Sequence, residues 1–260
     1  MSKKLFSFFC ISLILAFTIF CLMPDFYTPD NTLPQTIAKT NRIIIDGEII
    51  MEKTNGIWNS PENEGYPLDN DAIIKMLEHF EKASVYAKKY NSANKGNFKI
   101  VLQNENNEKT ELYFHKNGQE INGTIAVINK QTYHFSDKLS IPAQPYQWFS
   151  QPLFPFENRE ITKISGIEKD KFDFADLLFF QATRQNEFSD WPSKQIDITL
   201  ENGIVLKLTL YTQNGSYWLS AQMKNTIMPT KDAKEYTNNN KELYEGWFFE
   251  IPQPIGNELF

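Results

Sequence analysis

IDITLENGIVLKLTLYTQNGSYW, residues 196–218, decides the fold class. Ile196, Ile198 and Leu200 alternate with Gln195, Asp197 and Thr199. After Asn202-Gly203, Leu206, Leu208 and Leu210 alternate with Lys207 and Thr209, and Asn214-Gly215 then leads into Tyr217-Trp218-Leu219. A period of two places the apolar side chains on one face of an extended chain and the polar ones on the other, the pattern of a half-buried strand. Asn-Gly supplies tight reversals because both central residues of such a turn need φ > 0, which glycine accepts without steric cost. The stretch therefore predicts an antiparallel meander with one apolar face.

The same grammar recurs upstream. Arg42–Ile45 and Glu48–Lys53 flank Asp46-Gly47, and Asn55-Gly56 leads to Ile57-Trp58. Residues 42–58 thus rhyme weakly with 196–218: strand, turn, strand, then a glycine shortly before a tryptophan. An internal duplication is one reading, although the identities are few. Phe98–Gln103 and Leu112–His115 alternate, Asn117-Gly118 and Asn122-Gly123 read as turns, and Thr124–Ile128 and Gln131–Phe135 as strands. The clearest helix is expected from about Asn70 to about Lys89, with Asp69 as N-cap and Ile73, Met76, Leu77, Phe80 and Ala83 on one stripe.

Between the halves, Ile141–Phe156 holds four prolines among Tyr146, Trp148, Phe149, Phe154 and Phe156, and reads as a packed connector with one short helical turn. These five aromatics are the candidate binding residues. Exposed, they would form a partner surface or a sugar-stacking platform; buried, a strap between the halves. Beyond them, Ile161–Ser165 and Phe172–Phe174 read as strand, Ala175–Thr183 is ambiguous, Lys231–Glu245 is polar helix or loop, Trp247–Ile251 a final strand, and the last residues a tail.

The bulk composition sets limits. The 260 residues are 41% hydrophobic and 22% charged, enough for a core, and 21 Phe favour a large apolar sheet face. Net charge is −6, more negative still without the segment that holds Lys3 and Lys4. This argues against nucleic acid and against docking of the domain on an anionic lipid surface, both of which select clustered Lys and Arg. Both cysteines, Cys10 and Cys21, lie in the N-terminal apolar run, so no disulfide, thiol chemistry or cysteine zinc site is expected beyond it.

That run, Leu5–Met23, carries no charge. It follows Lys3 and Lys4 and precedes Pro24, Asp25, Pro29 and Asp30, so it reads as one transmembrane helix with the N-terminus cytoplasmic and the rest exported. A cleaved signal peptide is the alternative, but Phe20-Cys21-Leu22-Met23 offers no small-residue cleavage site. Lipidation at Cys21 is a third option, with Thr18-Ile19-Phe20 a poor preceding triplet. The expected organisation is a cytoplasmic n-region (1–4), an anchor (5–23), a spacer (24–40), a first α+β subdomain (41–156) and a second β-rich subdomain (157–260). The expected fold is α+β: mostly antiparallel β-sheet with a covering amphipathic helix, the two halves read as similar subdomains.

The series GIWNS (56–60), YPLDNDAIIKMLEHFEKA (66–83), FKIVL (98–102), YHFSD (133–137) and YQWFSQPLFPFENREITKISGI (146–167), behind a membrane helix, resembles the bacterial domain-of-unknown-function family numbered four-three-four-zero. The resemblance covers about residues 40–175. It implies an extracytoplasmic accessory role, since some relatives sit beside ABC-type exporters of the gliding-motility kind, and it brings no catalytic residues.

The sequence holds no nucleophile elbow, phosphate loop, dinucleotide fingerprint or His-Glu-x-x-His motif. His79, His115 and His134 fall on separate elements, and Asp69-Asn70-Asp71 lacks the glycine and distal glutamate of a calcium loop. No metal or other cofactor is expected. A carboxylate pair converging only in space stays open as a third, enzymatic reading. The leading expectation is a non-enzymatic, inner-membrane-anchored accessory or scaffold for a transport or envelope complex, with a membrane-protein partner. The alternative is an extracytoplasmic glycan- or small-solute-binding module that uses a cleft between the halves.

Overall fold

The computed structural model describes residues 32–82, 84–86, 98–117, 120–127, 131–134, 139–168, 171–185 and 187–260. The anchor expected over Leu5–Met23 lies outside them. Among the described residues no helix is long and apolar enough to cross a membrane. The fold is a β-rich α+β arrangement of two wholly antiparallel sheets with few helices.

The second sheet is built on the meander. Strands β13 (Ser193–Leu200), β14 (Ile204–Gln213) and β15 (Ser216–Asn225) are joined by the two Asn-Gly turns. In the second turn Asn214 and Gly215 have φ of 53° and 81°, the double-positive geometry that matches strand twist. In the first only Gly203 is left-handed, at 93°, and its amide closes the turn on the Leu200 carbonyl. Ile198, Leu206 and Met223 line up across the three strands, as do Ile196, Leu208 and Ala221. All six are buried, and each large aliphatic contributes about 1.5–3 kcal/mol on leaving water. With β11 (Ile161–Ser165), β12 (Gln181–Thr183) and β16 (Phe248–Ile251) the order is β11-β13-β14-β15-β16-β12.

The first sheet comprises β1 (Thr40–Ile45), β2 (Ile49–Thr54), β3 (Ile57–Ser60), β4 (Tyr66–Pro67), β5 (Ser84–Tyr86), β6 (Phe98–Asn104), β7 (Lys109–Asn117), β8 (Glu120–Val127), β9 (Gln131–His134) and β10 (Leu139–Ser140). Its order is β4-β3-β2-β1-β6-β7-β8-β9-β5, with β10 paired to β8. Helix α1 (Thr32–Ala38) packs on α2 (Asn70–Glu81) and β6. Asp69 caps α2 by accepting from the Ala72 amide at 3.0 Å, and Ile73, Met76 and Phe80 are buried on its stripe.

Several expectations are corrected. The helix ends at Glu81, not near Lys89: Lys82 caps it, and Ser84-Val85-Tyr86, whose valine and tyrosine favour extended chain, pairs with β9. Ala83 lies outside the described residues, as do Gly118, Ile128 and Phe135. Asn122-Gly123 is no turn but sits inside β8, where the register jumps from Phe114↔Ile125 to Lys116↔Ile121; glycine within a strand marks such a bulge. Residues 32–38 of the expected spacer are α1, whose Leu33 and Ile37, one helical turn apart, are buried. Phe172–Phe174 is no strand: Phe174–Asp176 is a single 3-10 turn that Asp173 caps. The polar stretch resolves into helix α3 (Lys231–Tyr244), capped by Thr230. The tail is helix α4 (Gln253–Leu259), docked through buried Leu259 and through Gly256, where an added Cβ would fall 2.1 Å from the Tyr217 ring. One continuous apolar core runs through both sheets.

Candidate functional site

The turn Pro61–Asn63 and Glu64, ahead of β4, meet β12 at the edge of the second sheet, and the junction beside them is filled with rings. Tyr66 stands edge-on to Phe149, Phe179, Trp247 and Phe249 at centroid distances of 4.9–5.6 Å. Such T-shaped pairs set positive ring edges against negative faces. Burial raises the Tyr66 phenol pKa far above its ordinary value. Polar contacts stitch the rim. Buried Asn63 donates to Ser60 Oγ at 2.8 Å and accepts from the Ala182 amide at 3.1 Å. The Glu64 carboxylate accepts from Thr183 Oγ1 and the Arg184 amide, both at 2.8 Å. Those two bonds, the amide foremost, hold the Glu64 pKa below its ordinary value. The Arg184 guanidinium lies 4.4 Å over the Trp247 ring. Among the described residues, aromatic rings occupy the place where the sequence suggested a ligand cleft.

The five connector aromatics divide between this junction and a second place. Tyr146 is half-buried and packs on exposed Phe180 at 4.8 Å. Trp148 and Phe149 are buried; the Trp148 carbonyl accepts from the Asp69 amide at 2.8 Å, which ties the connector to the start of α2. Phe149 stacks on Phe179 at 4.9 Å. Phe154 and Phe156 are also buried from bulk water, yet they form one wall of a cavity of about 480 Å³ that is partly open to solvent. That volume lies within the range of small-molecule sites, about 300–1,000 Å³.

The remaining walls come from the second sheet and α3. Leu206 and Met223, neighbours across β14 and β15, supply an aliphatic floor with Leu200 and Ile204. Tyr236 of α3 closes one side. Its hydroxyl lies 3.3 Å from that of Tyr244, which is buried against Phe154; burial first, and then Tyr236, raise the Tyr244 pKa. The mouth carries Glu160, Asn202, Thr230 and Asp232. Its rim is held by backbone: the Thr226 amide donates to the Gly203 carbonyl at 2.8 Å and the Thr230 amide to that of Asn202 at 2.9 Å. Gly203 is required here twice over, by its φ and because a Cβ would come within 2.7 Å of Pro229 Cα. The loop fastened in this way lifts Ile227 and Met228 into solvent, Ile227 fully and Met228 nearly so.

The connector composition pointed to Phe154 and Phe156; it carried no sign of Leu206, Met223, Thr230 or Tyr236. Among the described residues the cavity lining has no histidine. Among the described residues no group of three or more His, Cys, Asp or Glu is placed to hold a metal ion. Comparison with family models, with curated proteins and with solved structures finds no match to this chain.

Proposed function

We propose that this chain is a membrane-anchored extracytoplasmic protein whose β-rich domain binds a small solute in the cavity between Phe154–Phe156, the second sheet and α3. The observation that carries this reading is the hollow itself. A partly open hollow of about 480 Å³ sets the apolar side chains of Phe154, Phe156, Leu206 and Met223 beside the polar groups of Glu160, Asn202, Thr230 and Asp232, the size and mix of groups that small-molecule sites use. The site differs from the inter-half cleft that the sequence suggested, because aromatic rings occupy that junction. Localisation to a bacterial inner membrane, single-pass with the domain in the periplasm, is part of the proposal and rests on the uncharged run Leu5–Met23 behind Lys3 and Lys4. The family resemblance belongs to the proposal on the same footing.

A second reading has its own support. A non-enzymatic accessory role in a transport or envelope complex is favoured by Ile227 and Met228, two large apolar side chains held in solvent on a fastened loop. Such residues anchor protein partners when covered. The two roles are compatible, because the loop borders the cavity mouth. The organisation into two similar subdomains is proposed only for the meanders, β1–β3 before α2 and β13–β15 before α3.

Native mass spectrometry of the full chain from its own membranes tests the solute reading. The expected result is a small-molecule adduct that Ala233→Leu, which fills the cavity from α3, removes. An adduct of the same occupancy in that variant would overturn it. Retention of a membrane-protein partner in mild detergent, lost in Ile227→Ser/Met228→Ser, is the result expected of the accessory reading; recovery of the wild-type chain as a lone monomer would count against it.

A further inference from the structure

We infer that the cavity takes an amphiphile with an apolar body and a cationic, ammonium-type head, and discriminates against the matching carboxylate. This inference deepens the solute-binding reading and rests on it. The floor, made by Leu200, Ile204, Leu206 and Met223 under Phe154 and Phe156, offers no polar side chain, so the part of the ligand that enters is apolar. The mouth sets the head group. Among the described residues its ionisable groups besides Tyr236 are Glu160 and Asp232, and no Lys, Arg or His belongs to the lining.

The neighbouring cations do not change this balance. Arg159 is paired with Glu157 at 2.8 Å, and Lys231 is exposed and outside the lining. The N-terminus of α3, which would otherwise favour an anion, is served in part. The Thr230 hydroxyl caps the Ala233 amide at 3.1 Å, the Thr230 carbonyl takes the Lys234 amide, and Asp232 supplies negative charge in the first turn. Glu160 spends one oxygen on the Glu157 amide at 2.7 Å and leaves the other for a ligand donor. The Tyr236 ring adds a face of the kind that attracts a cation within about 6 Å. An anion entering here would meet two like charges at the hydrated rim; an ammonium would meet two opposite ones.

The test is a matched series of probes, octylamine, octan-1-ol and octanoate. Each is titrated into the full chain in phosphatidylcholine nanodiscs, with empty nanodiscs as baseline. Octylamine is expected to bind about ten-fold more tightly than octanoate, with the alcohol between, since two carboxylates at a hydrated mouth each shift affinity by a few-fold. The preference should weaken as salt rises through the physiological range. In the double variant Glu160→Gln/Asp232→Asn the amine and the acid should come within about two-fold of each other while octan-1-ol binding is kept, a result that mere unfolding cannot produce. Octanoate binding as tightly as octylamine, or a preference that the double variant leaves intact, would overturn the head-group assignment and leave the cavity reading standing. Failure of all three probes to bind would overturn the cavity reading itself.

Discussion

The same aromatic connector meets two different environments within a few residues. At Phe149 it joins a cluster in which Tyr66 stands edge-on to Phe149, Phe179, Trp247 and Phe249. Phe154 and Phe156 pack on Tyr244 and Phe174, yet they also line a partly open pocket with Leu200, Leu206 and Met223. The first arrangement makes one core of two sheets; the second leaves room for a guest. Aromatic content alone does not separate strap from site. What separates them is the opposing surface. Planar rings meet planar rings at the junction, whereas the cavity lining sets Phe154 and Phe156 beside the aliphatics of β14 and β15.

The largest expected effect lies on the filled side. Tyr66→Ala removes the ring that four others contact and should cost about 3–5 kcal/mol in urea denaturation, the range for deleting a buried aromatic. A loss below about 1 kcal/mol would mean that the junction is not the packed hinge of the two sheets.

Next comes one substitution made in both places. Ala182 at the junction and Ala233 at the cavity are both buried. Ala182→Leu overpacks a filled region and should destabilise by about 1–3 kcal/mol. Ala233→Leu grows into the void and should stabilise by about 0.5–2 kcal/mol. Opposite signs sharpen the contrast between the two regions; equal destabilisation in thermal melts would erase it.

The smallest effect is electrostatic. Glu64 is solvent-exposed, and its pKa lies below the ordinary value of 4.5 because it accepts from the Arg184 amide and Thr183. A depressed folded-state pKa means that the carboxylate stabilises the fold above the unfolded-state value, and that this contribution is lost as pH falls through the folded one. Glu64→Gln should therefore leave a shallower loss of stability below about pH 4.5 than wild type, seen as converging urea midpoints toward pH 3. A variant whose acid limb is as steep as that of wild type would remove Glu64 from the account of the junction.

The legible and illegible parts of this fold differ for physical reasons. Ile196–Leu210 alternates so strictly that strand, face and register follow from it, and Asp69 before the Ile73-Met76-Phe80 stripe marks the start of α2. The end of α2 was hidden because Ala83 and the two lysines at 88 and 89 extend a helical pattern that pairing of Ser84–Tyr86 with β9 overrides. Helices α1 and α4 each show one buried pair or less of the signal, too short for a period to stand out against Pro and Thr neighbours. Helix α3 looks like loop because its buried side is Ala233, Thr237 and Tyr244, with no long aliphatic among them. The cavity was half-visible. Phe154 and Phe156 stand out in the connector, but Leu206 and Met223 read as ordinary core, and only the fold sets them opposite each other.

Methionine methyl resonances test the ligand site most directly. The chain has six methionines; Met223 lines the cavity, while Met51 and Met76 are buried in the core beside the first sheet. With 13C-methyl-methionine in the full chain, titration with octylamine should shift the Met223 signal saturably and leave Met51 and Met76 in place. A Met223 resonance that stays still, or one that moves no more than the other two, would contradict a guest between the connector and the second sheet.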